Sequence, residues 1–156
     1  MRNARLRMGF SMLVAAAAAS TATAASGSPP RASAARTLAV RDEGYLGFKS
    51  SSGSELIDEG HAKGTLPGWV KARFTYNGSP TVYAQFTIST RDGSIKGRAT
   101  GRLSNPNSTG PSFRGSLTIS GGSGRYAHAT GSGELFGVFY RRSYALTVQA
   151  IGKLRY

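Results

Sequence analysis

Residues 69–103 read WVKARFTYNGSPTVYAQFTISTRDGSIKGRATGRL. Apolar and polar side chains alternate through most of this segment, so that Val70, Ala72 and Phe74 share one face while Lys71 lies on the other. A period of two is typical of a β-strand with one face in the core and the other in solvent. The segment therefore predicts an antiparallel sheet, in which such one-sided strands are common.

Two Asx-Gly dipeptides interrupt the alternation and predict hairpin turns. They are Asn77-Gly78 and Asp92-Gly93. Asparagine or aspartate followed by glycine favours a two-residue hairpin turn, because both residue types adopt positive φ angles more readily than others do. The strands that these two turns connect are predicted over residues 69–76, 81–90 and 94–103.

The same alternation recurs in the rest of the chain. It predicts further strands over residues 44–49, 54–65, 113–119, 131–140 and 144–154. Eight strands joined mostly by hairpins can close into a barrel, which removes exposed sheet edges. Inward glycines at positions 97, 101 and 115 would let a small barrel bend. We predict an all-β fold, an eight-stranded antiparallel β-barrel, with a two-sheet β-sandwich as the alternative.

The first 24 residues have the pattern of a signal peptide. Arginines at positions 2, 5 and 7 precede an apolar run over residues 8–19, and small residues around Ala24 match a cleavage site. The apolar run is too short to span a bilayer. We predict cleavage near Ala24 and secretion to the extracellular space or the cell envelope, with no membrane span in the mature form.

The remaining chain divides into a lead-in and one domain. Residues 25–40 are mostly small, contain two prolines and predict a disordered lead-in. The β-barrel domain is predicted over residues 41–156. After removal of residues 1–24, 17 Lys and Arg and 7 Asp and Glu remain, so the predicted mature protein is strongly basic.

A glycine-rich segment late in the chain carries a family resemblance. Residues 121–131 read GGSGRYAHATG, and the matching positions are Gly121, Gly122, Gly124, Arg125, Tyr126 and Gly131. This pattern resembles the segment between late strands in the allene oxide cyclase and dirigent families, and in small secreted bacterial proteins with the same barrel signature. The resemblance implies an eight-stranded antiparallel barrel. Plant members of these families cyclise a fatty-acid epoxide or direct phenoxy-radical coupling inside the barrel.

The physical interpretation of this segment is a structural turn. Its glycines permit a left-handed backbone and a sharp chain reversal. We expect Tyr126 to fold back as a plug on the barrel end, with Arg125 paired to a carboxylate or solvated. A phosphate-binding loop is the other interpretation, but it requires a helix immediately afterwards and usually a Lys-Ser/Thr pair there, and the residues after this segment offer neither.

The residue types give little support to catalysis. The chain has no cysteine, which excludes disulfides, thiol catalysis and Cys-ligated zinc. The cyclase resemblance implies a cysteine in the site, and this chain has no counterpart for it. No G-x-S-x-G nucleophile elbow occurs either. We therefore assign no catalytic residue and predict no cofactor.

Histidine and carboxylate residues come together once in the sequence. Asp58-Glu59-Gly60-His61 could form an acid–base pair or an open metal site, but a local run of this kind is typical of a solvated strand end. His61 and His128 are the only histidines, and two histidines without cysteine do not make a closed zinc site. We predict no metal.

The excess of basic residues falls on alternate strand positions. The candidate ligand-binding residues on this basic face are Lys71, Arg73, Tyr83, Lys96, Arg98 and Arg102. A cationic sheet face with interleaved aromatic residues suits an anionic polysaccharide; we do not expect nucleic acid as the partner. The alternative is a solvated surface that keeps an exported protein soluble.

These observations favour binding over chemistry. We predict a non-catalytic binding module that holds a small apolar ligand in the barrel or an acidic polymer on its basic face. The interior of an eight-stranded barrel is either filled by side chains or holds one small ligand. The alternative function is an isomerase- or cyclase-like enzyme that acts in the barrel cavity.

Overall fold

The computed structural model describes residues 35–156. The predicted signal peptide and most of the predicted lead-in lie outside the described residues. Eight antiparallel strands form the described part of the chain: β1 (Thr37–Ser52), β2 (Glu55–Gly64), β3 (Gly68–Thr75), β4 (Thr81–Thr90), β5 (Gly93–Ser104), β6 (Ser112–Gly122), β7 (Thr130–Tyr140) and β8 (Ala145–Arg155). They close into a barrel in chain order, which confirms the predicted fold and excludes the sandwich.

Strand β1 closes the barrel by pairing with both β2 and β8. Its pairing with β8 runs from Thr37 opposite Arg155 to Leu46 opposite Leu146. The strand thus begins at Thr37, inside the segment predicted as lead-in, and extends well beyond the predicted residues 44–49. Alternation does continue through β1, but Asp42 and Gly44 occupy inward positions there and conceal the apolar pattern.

The two predicted hairpin turns differ from each other in the structure. The β4–β5 connection is a two-residue turn as predicted, but its two residues are Arg91 and Asp92 rather than Asp92 and Gly93, because Thr90 pairs with Gly93 and Gly93 already belongs to β5. The β3–β4 connection at Asn77-Gly78 was predicted as a two-residue turn, and this is wrong: it is a loop over residues 76–80. The Asn77 side chain accepts a hydrogen bond from the Ser79 N–H, which favours a wider Asx turn.

One barrel end is closed by a cluster of buried side chains. The cluster comprises Leu66, Ile95, Ile119, Tyr126, Ala129 and Leu154. Tyr126 lies in a one-turn 3-10 helix, Gly124–Tyr126, the sole helix within residues 35–156. We call the barrel end that this cluster fills the closed end. No helix in this part of the chain is long and apolar enough to cross a membrane.

The opposite end carries the β1–β2, β3–β4, β5–β6 and β7–β8 loops, and we call it the open end. Between the two ends, glycines face aromatic rings across the interior. A Cβ atom on Gly97 would lie 2.5 Å from the Phe86 ring, and one on Gly137 would lie 2.7 Å from the Phe113 ring. The two rings can therefore lie against the inner wall, which leaves space beside them.

Candidate ligand-binding cavity

The barrel encloses a cavity of about 540 Å³. It is lined mainly by aliphatic and aromatic side chains from all eight strands, among them Leu46, Val70, Phe86, Phe113, Leu135 and Val148. Loop residues 53 and 54 and the rim side chains of Tyr76 and Tyr144 also line it. This volume falls in the range typical of small-molecule sites, about 300–1,000 Å³. The interior is therefore not filled by its own side chains.

Asp58 is the unusual residue in the cavity wall. Asp58 lies in β2 and is 0 % exposed to solvent, and neither of its carboxylate oxygens has a hydrogen-bond partner within residues 35–156. Its cross-strand neighbours are Phe48 on β1 and Ala72 on β3, neither of which has a polar side chain. Burial of the charged form raises the pKa of Asp58 to about 6. The carboxyl group is thus a buried, unpaired acid facing apolar surroundings.

The structure corrects the prediction of a solvated strand end over Asp58-Glu59-Gly60-His61. Alternation along β2 separates these side chains, since Asp58 is buried while Glu59 forms ion pairs with Lys71 at 3.3 Å and Lys49 at 3.8 Å. His61 is exposed and its ring stacks edge to face on Trp69, with centroids 4.6 Å apart. The inward series at positions 56, 58, 60 and 62 was the sequence signal that could have identified Asp58 as an interior residue.

A second buried carboxylate, Asp42, is paired. Its Oδ1 accepts a hydrogen bond from the Leu66 N–H at 2.8 Å, and Leu66 belongs to the closed-end cluster. Burial raises the pKa of Asp42, while hydrogen bonds from the Leu66 and Thr65 backbone act in the opposite direction. Asp42 therefore holds the β2–β3 loop in place and has a structural role.

The two remaining charged residues of the cavity lining also have partners. Glu55 forms an ion pair with Arg73 at 3.6 Å. The Arg141 guanidinium donates hydrogen bonds to two carbonyl oxygens of the β5–β6 loop, those of Ser108 at 3.0 Å and of Pro106. Among the charged groups that line the cavity, Asp58 alone has no partner in the described chain.

Aromatic rings gather at the rim of the open end. Tyr144 stacks on Phe48 with ring centroids 5.5 Å apart and on Phe139 with centroids 6.1 Å apart. Tyr144 has a φ of +53°, a left-handed conformation that is uncommon for a bulky residue and that strains the backbone. This conformation places a large ring at the cavity mouth. Alternation predicted Tyr144 as the first inward residue of the last strand; the ring does line the cavity, but Tyr144 lies just before β8, which begins at Ala145.

The basic face lies on the outer surface, as its alternate positions predict. Register places Lys71, Thr87 and Lys96 in one row, and Arg73, Gln85 and Arg98 in the next. Lys71 and Arg73 pair with Glu59 and Glu55, respectively. Within residues 35–156, no carboxylate lies within 4 Å of a second group of cations, which are Lys96, Arg98, Arg102 and Arg114. Arg114 was not predicted as part of this face; it lies on β6, opposite Arg102 of β5. Tyr83 is exposed on β4, between Thr75 of β3 and Thr100 of β5.

The Gly121–Tyr126 segment forms the turn that closes the barrel. Gly124 has a φ of +58°, and a Cβ on Gly122 would lie 1.9 Å from the Ser94 carbonyl oxygen, so that position accommodates only glycine. Tyr126 is buried and stacks edge to face on Tyr156 with centroids 5.2 Å apart. Gly131, the last residue of the matching pattern, lies on β7 opposite Leu154 of β8.

Arg125 links three parts of the closed end. Its guanidinium lies 3.4 Å from the Asp92 carboxylate, donates a hydrogen bond to the Tyr156 hydroxyl at 3.1 Å, and lies 5.0 Å from the centre of the Tyr156 ring. These contacts connect the β4–β5 turn, the glycine-rich segment and the end of the chain. The segment is thus built as a structural closure, with Arg125 occupied by its neighbours.

Two further results bear on function. In the described part of the chain, no group of three or more histidine and carboxylate side chains is placed to hold a metal ion. Comparisons with known proteins gave no match: no family model fits the chain, and no curated protein or solved structure is significantly similar to it.

Proposed function

We propose that this protein binds a small, largely apolar molecule inside its barrel and does not transform it. The observation that carries this proposal is the cavity of about 540 Å³, which is walled by apolar side chains and closed at one end by the Tyr126 cluster. Transfer of apolar ligand surface from water into such a cavity contributes ~25 cal/mol per Å². A resemblance to the allene oxide cyclase and dirigent barrels agrees with interior binding.

Binding is favoured over catalysis by the pairing of the cavity's charged groups. General acid–base chemistry usually needs two groups placed on either side of the reacting atoms. Asp58 is the one unpaired acid in the described lining, whereas Asp42 is engaged by Leu66 and Arg141 by the β5–β6 loop. An isomerase would therefore have an acid but no assigned partner for it.

The test is binding of N-phenyl-1-naphthylamine, a neutral apolar dye that fluoresces in dry surroundings. Ala99 faces the cavity from β5, and Ala99→Phe fills part of the space. Thr100 is exposed on the outer face of the same strand, so Thr100→Phe is the matched control. We expect the wild-type protein and the Thr100 variant to bind the dye with equal affinity, and the Ala99 variant to lose at least about tenfold. Absence of saturable binding to the folded wild-type protein would overturn the proposal.

A second candidate function is binding of an anionic polysaccharide to the basic face. The observation that favours it is the group of four cations, Lys96, Arg98, Arg102 and Arg114, with no carboxylate within 4 Å in the described chain. A polyanion bound there releases its counterions, so that the affinity falls steeply with salt.

Charge-matched variants separate this site from net charge. Arg98→Glu with Arg102→Glu alters the basic face on β5, and Lys153→Glu with Arg155→Glu makes the same change on exposed positions of β8, three strands away. On a sulfated-polysaccharide column, we expect the first pair to elute at much lower salt than the wild type and the second pair to shift less. Equal shifts would show that retention depends on net charge alone and would contradict the site.

A further inference from the structure

The charge of the cavity is opposite to that of the chain. The sequence has 20 Lys and Arg against 7 Asp and Glu. The charged residues that line the cavity are, in contrast, three carboxylates and one guanidinium: Asp42, Glu55, Asp58 and Arg141. Of these groups only the Asp58 carboxylate has no partner in the described chain. A cavity with low-dielectric walls focuses the field of such a charge where a ligand would lie.

We propose that the ligand carries a positively charged amino group on an apolar body, and that the Asp58 carboxylate binds this group. This inference rests on the proposed binding function and names the chemical class of the ligand. The observation behind it is that Asp58 is fully buried in the cavity wall while both of its oxygens lack a partner in the described chain. Buried charges are normally paired, since an unpaired one is costly to desolvate. An ammonium group would offset that cost with charge-assisted hydrogen bonds.

The other groups that face the interior do not compete for this role. From β1, Asp42 is engaged by the Leu66 N–H; from β2 itself, Glu55 is paired with Arg73; and Arg141, from the β7–β8 loop, is held by backbone carbonyls. Strand β3 contributes only apolar side chains to the lining, from Val70, Ala72 and Phe74. Asp58 therefore meets no cation of the described chain that would neutralise it.

The position of Asp58 also sets the orientation of the ligand. It is the fourth residue of β2, which begins at the open end, and it lies opposite Phe48. Phe48 belongs to the rim cluster with Tyr144 and Phe139, whose π faces attract cations. The ammonium group would thus lie near the mouth, and the apolar body would extend towards the closed end.

The acid–base behaviour of Asp58 supports the same assignment. Its pKa of about 6 leaves the carboxyl group mainly ionised at neutral pH even without a partner. Asp42 titrates with a raised pKa as well, but its carboxylate is already hydrogen bonded. Affinity for an amine is therefore expected to fall as the pH decreases from 7 to 5, whereas affinity for a neutral ligand is not.

The experiment compares three probes of equal chain length: decylamine, decanol and decanoate. Their affinities are measured by displacement of N-phenyl-1-naphthylamine from the wild-type protein. We expect decylamine to bind at least about tenfold more tightly than decanol, since only its ammonium group brings a positive charge to the Asp58 carboxylate, and decanoate to bind least. In Asp58→Asn, decylamine should fall to the affinity of decanol, with decanol unchanged.

The matched control is Glu59→Gln. Glu59 is the next residue of β2 but pairs with lysines on the outer face, so its loss changes net charge equally without altering the cavity. We expect this variant to keep the preference for decylamine. Equal binding of decylamine and decanol to the wild type, or loss of the preference in both variants, would overturn the assignment to Asp58 while leaving apolar binding intact. Failure of the dye and of all three probes would instead overturn the proposed function. Thermal unfolding checks that each variant is folded.

Discussion

The two ends of the barrel differ in how their aromatic and charged side chains are paired. At the closed end, Tyr126 is 6 % exposed and packs on Tyr156, while Arg125 contacts both Asp92 and Tyr156. Towards the open end, Tyr144 is 50 % exposed and Asp58 has no partner in the described chain. Close packing and paired polar groups are typical of stability elements. Unfilled volume and an uncompensated charge are typical of binding sites.

The barrel thus combines a packed end and a hollow half along one axis. The closed end uses bulky side chains and the glycine-rich turn to complete the core, so that the open half is free to keep a cavity. The two buried aspartates show the same division. Asp42 accepts a hydrogen bond from a closed-end residue, whereas Asp58, nearer to the mouth, faces apolar neighbours.

Alanine substitutions of Tyr126 and Tyr144 compare how much each end of the barrel contributes to stability. Tyr126→Ala should lower the free energy of unfolding by about 4 kcal/mol, because it removes a buried ring from the closed-end cluster. Tyr144→Ala removes an equally large ring that is half exposed, and we expect a loss of about 1 kcal/mol or less. Urea unfolding of the two variants measures both values. Similar losses for the two would break the distinction between a packed end and an open one.

The next largest effect concerns the pH dependence of stability. The folded protein holds the Asp58 proton up to a pH of about 6, whereas the unfolded chain releases it near the ordinary value of 3.8. The free energy of unfolding therefore decreases as the pH rises from about 4 to above 6, by about 3 kcal/mol in total from this group. Asp58→Asn should remove that decrease, so that the variant is more stable than the wild type at pH 7.5 and equal to it at pH 3.5.

Unfolding titrations of both proteins across this pH range provide the measurement. The contribution of Asp42, whose pKa is also raised, cancels in the difference between the two proteins. If Asp58→Asn raises the free energy of unfolding at pH 7.5, the carboxylate does not contribute to folding, which agrees with a role in binding. If Asp58→Asn were destabilising at pH 7.5, Asp58 would have a structural partner, and its contrast with Asp42 would disappear.

The sequence predicted the barrel because most strands obey a strict period of two. The segment over β3, β4 and β5 shows it best, since Phe74, Phe86 and Ile95 fall on inward positions between polar neighbours. The Asn77-Gly78 turn was wrong because side-chain hydrogen bonds of Asn77 and Ser79 stabilise a longer loop. Such local competition depends on atomic geometry that the dipeptide does not specify.

The candidate site was harder to predict, since its main residue breaks the rule that defines the fold. Asp58 is a charged residue at an inward strand position, and next to Glu59 and His61 it resembled a solvated strand end. The inward series at positions 56, 58, 60 and 62 indicated its side, but the acidic run concealed it, and the structure shows that Asp58 is buried while its neighbour Glu59 pairs with lysines on the outer face. The basic face, in contrast, follows from alternation alone, and its placement on the outer surface agrees with the sequence even though its binding role stays a prediction.

The substitution Arg125→Lys tests which contacts hold the closed end together, and we expect it to change the free energy of unfolding least. Arg125→Lys can keep the contact with Asp92, but a lysine ammonium cannot both stack on the Tyr156 ring and donate to its hydroxyl from a planar group. Because the Arg125 side chain is 44 % exposed, we expect a loss of only about 0.5 kcal/mol, nearly unchanged between 0.1 and 1 M salt. Thermal unfolding at the two salt concentrations measures it. A loss approaching that of Tyr126→Ala, or one that vanishes in high salt, would mean that charge pairing rather than apolar packing closes this end, and the open end would then differ from it only in having an unpaired carboxylate.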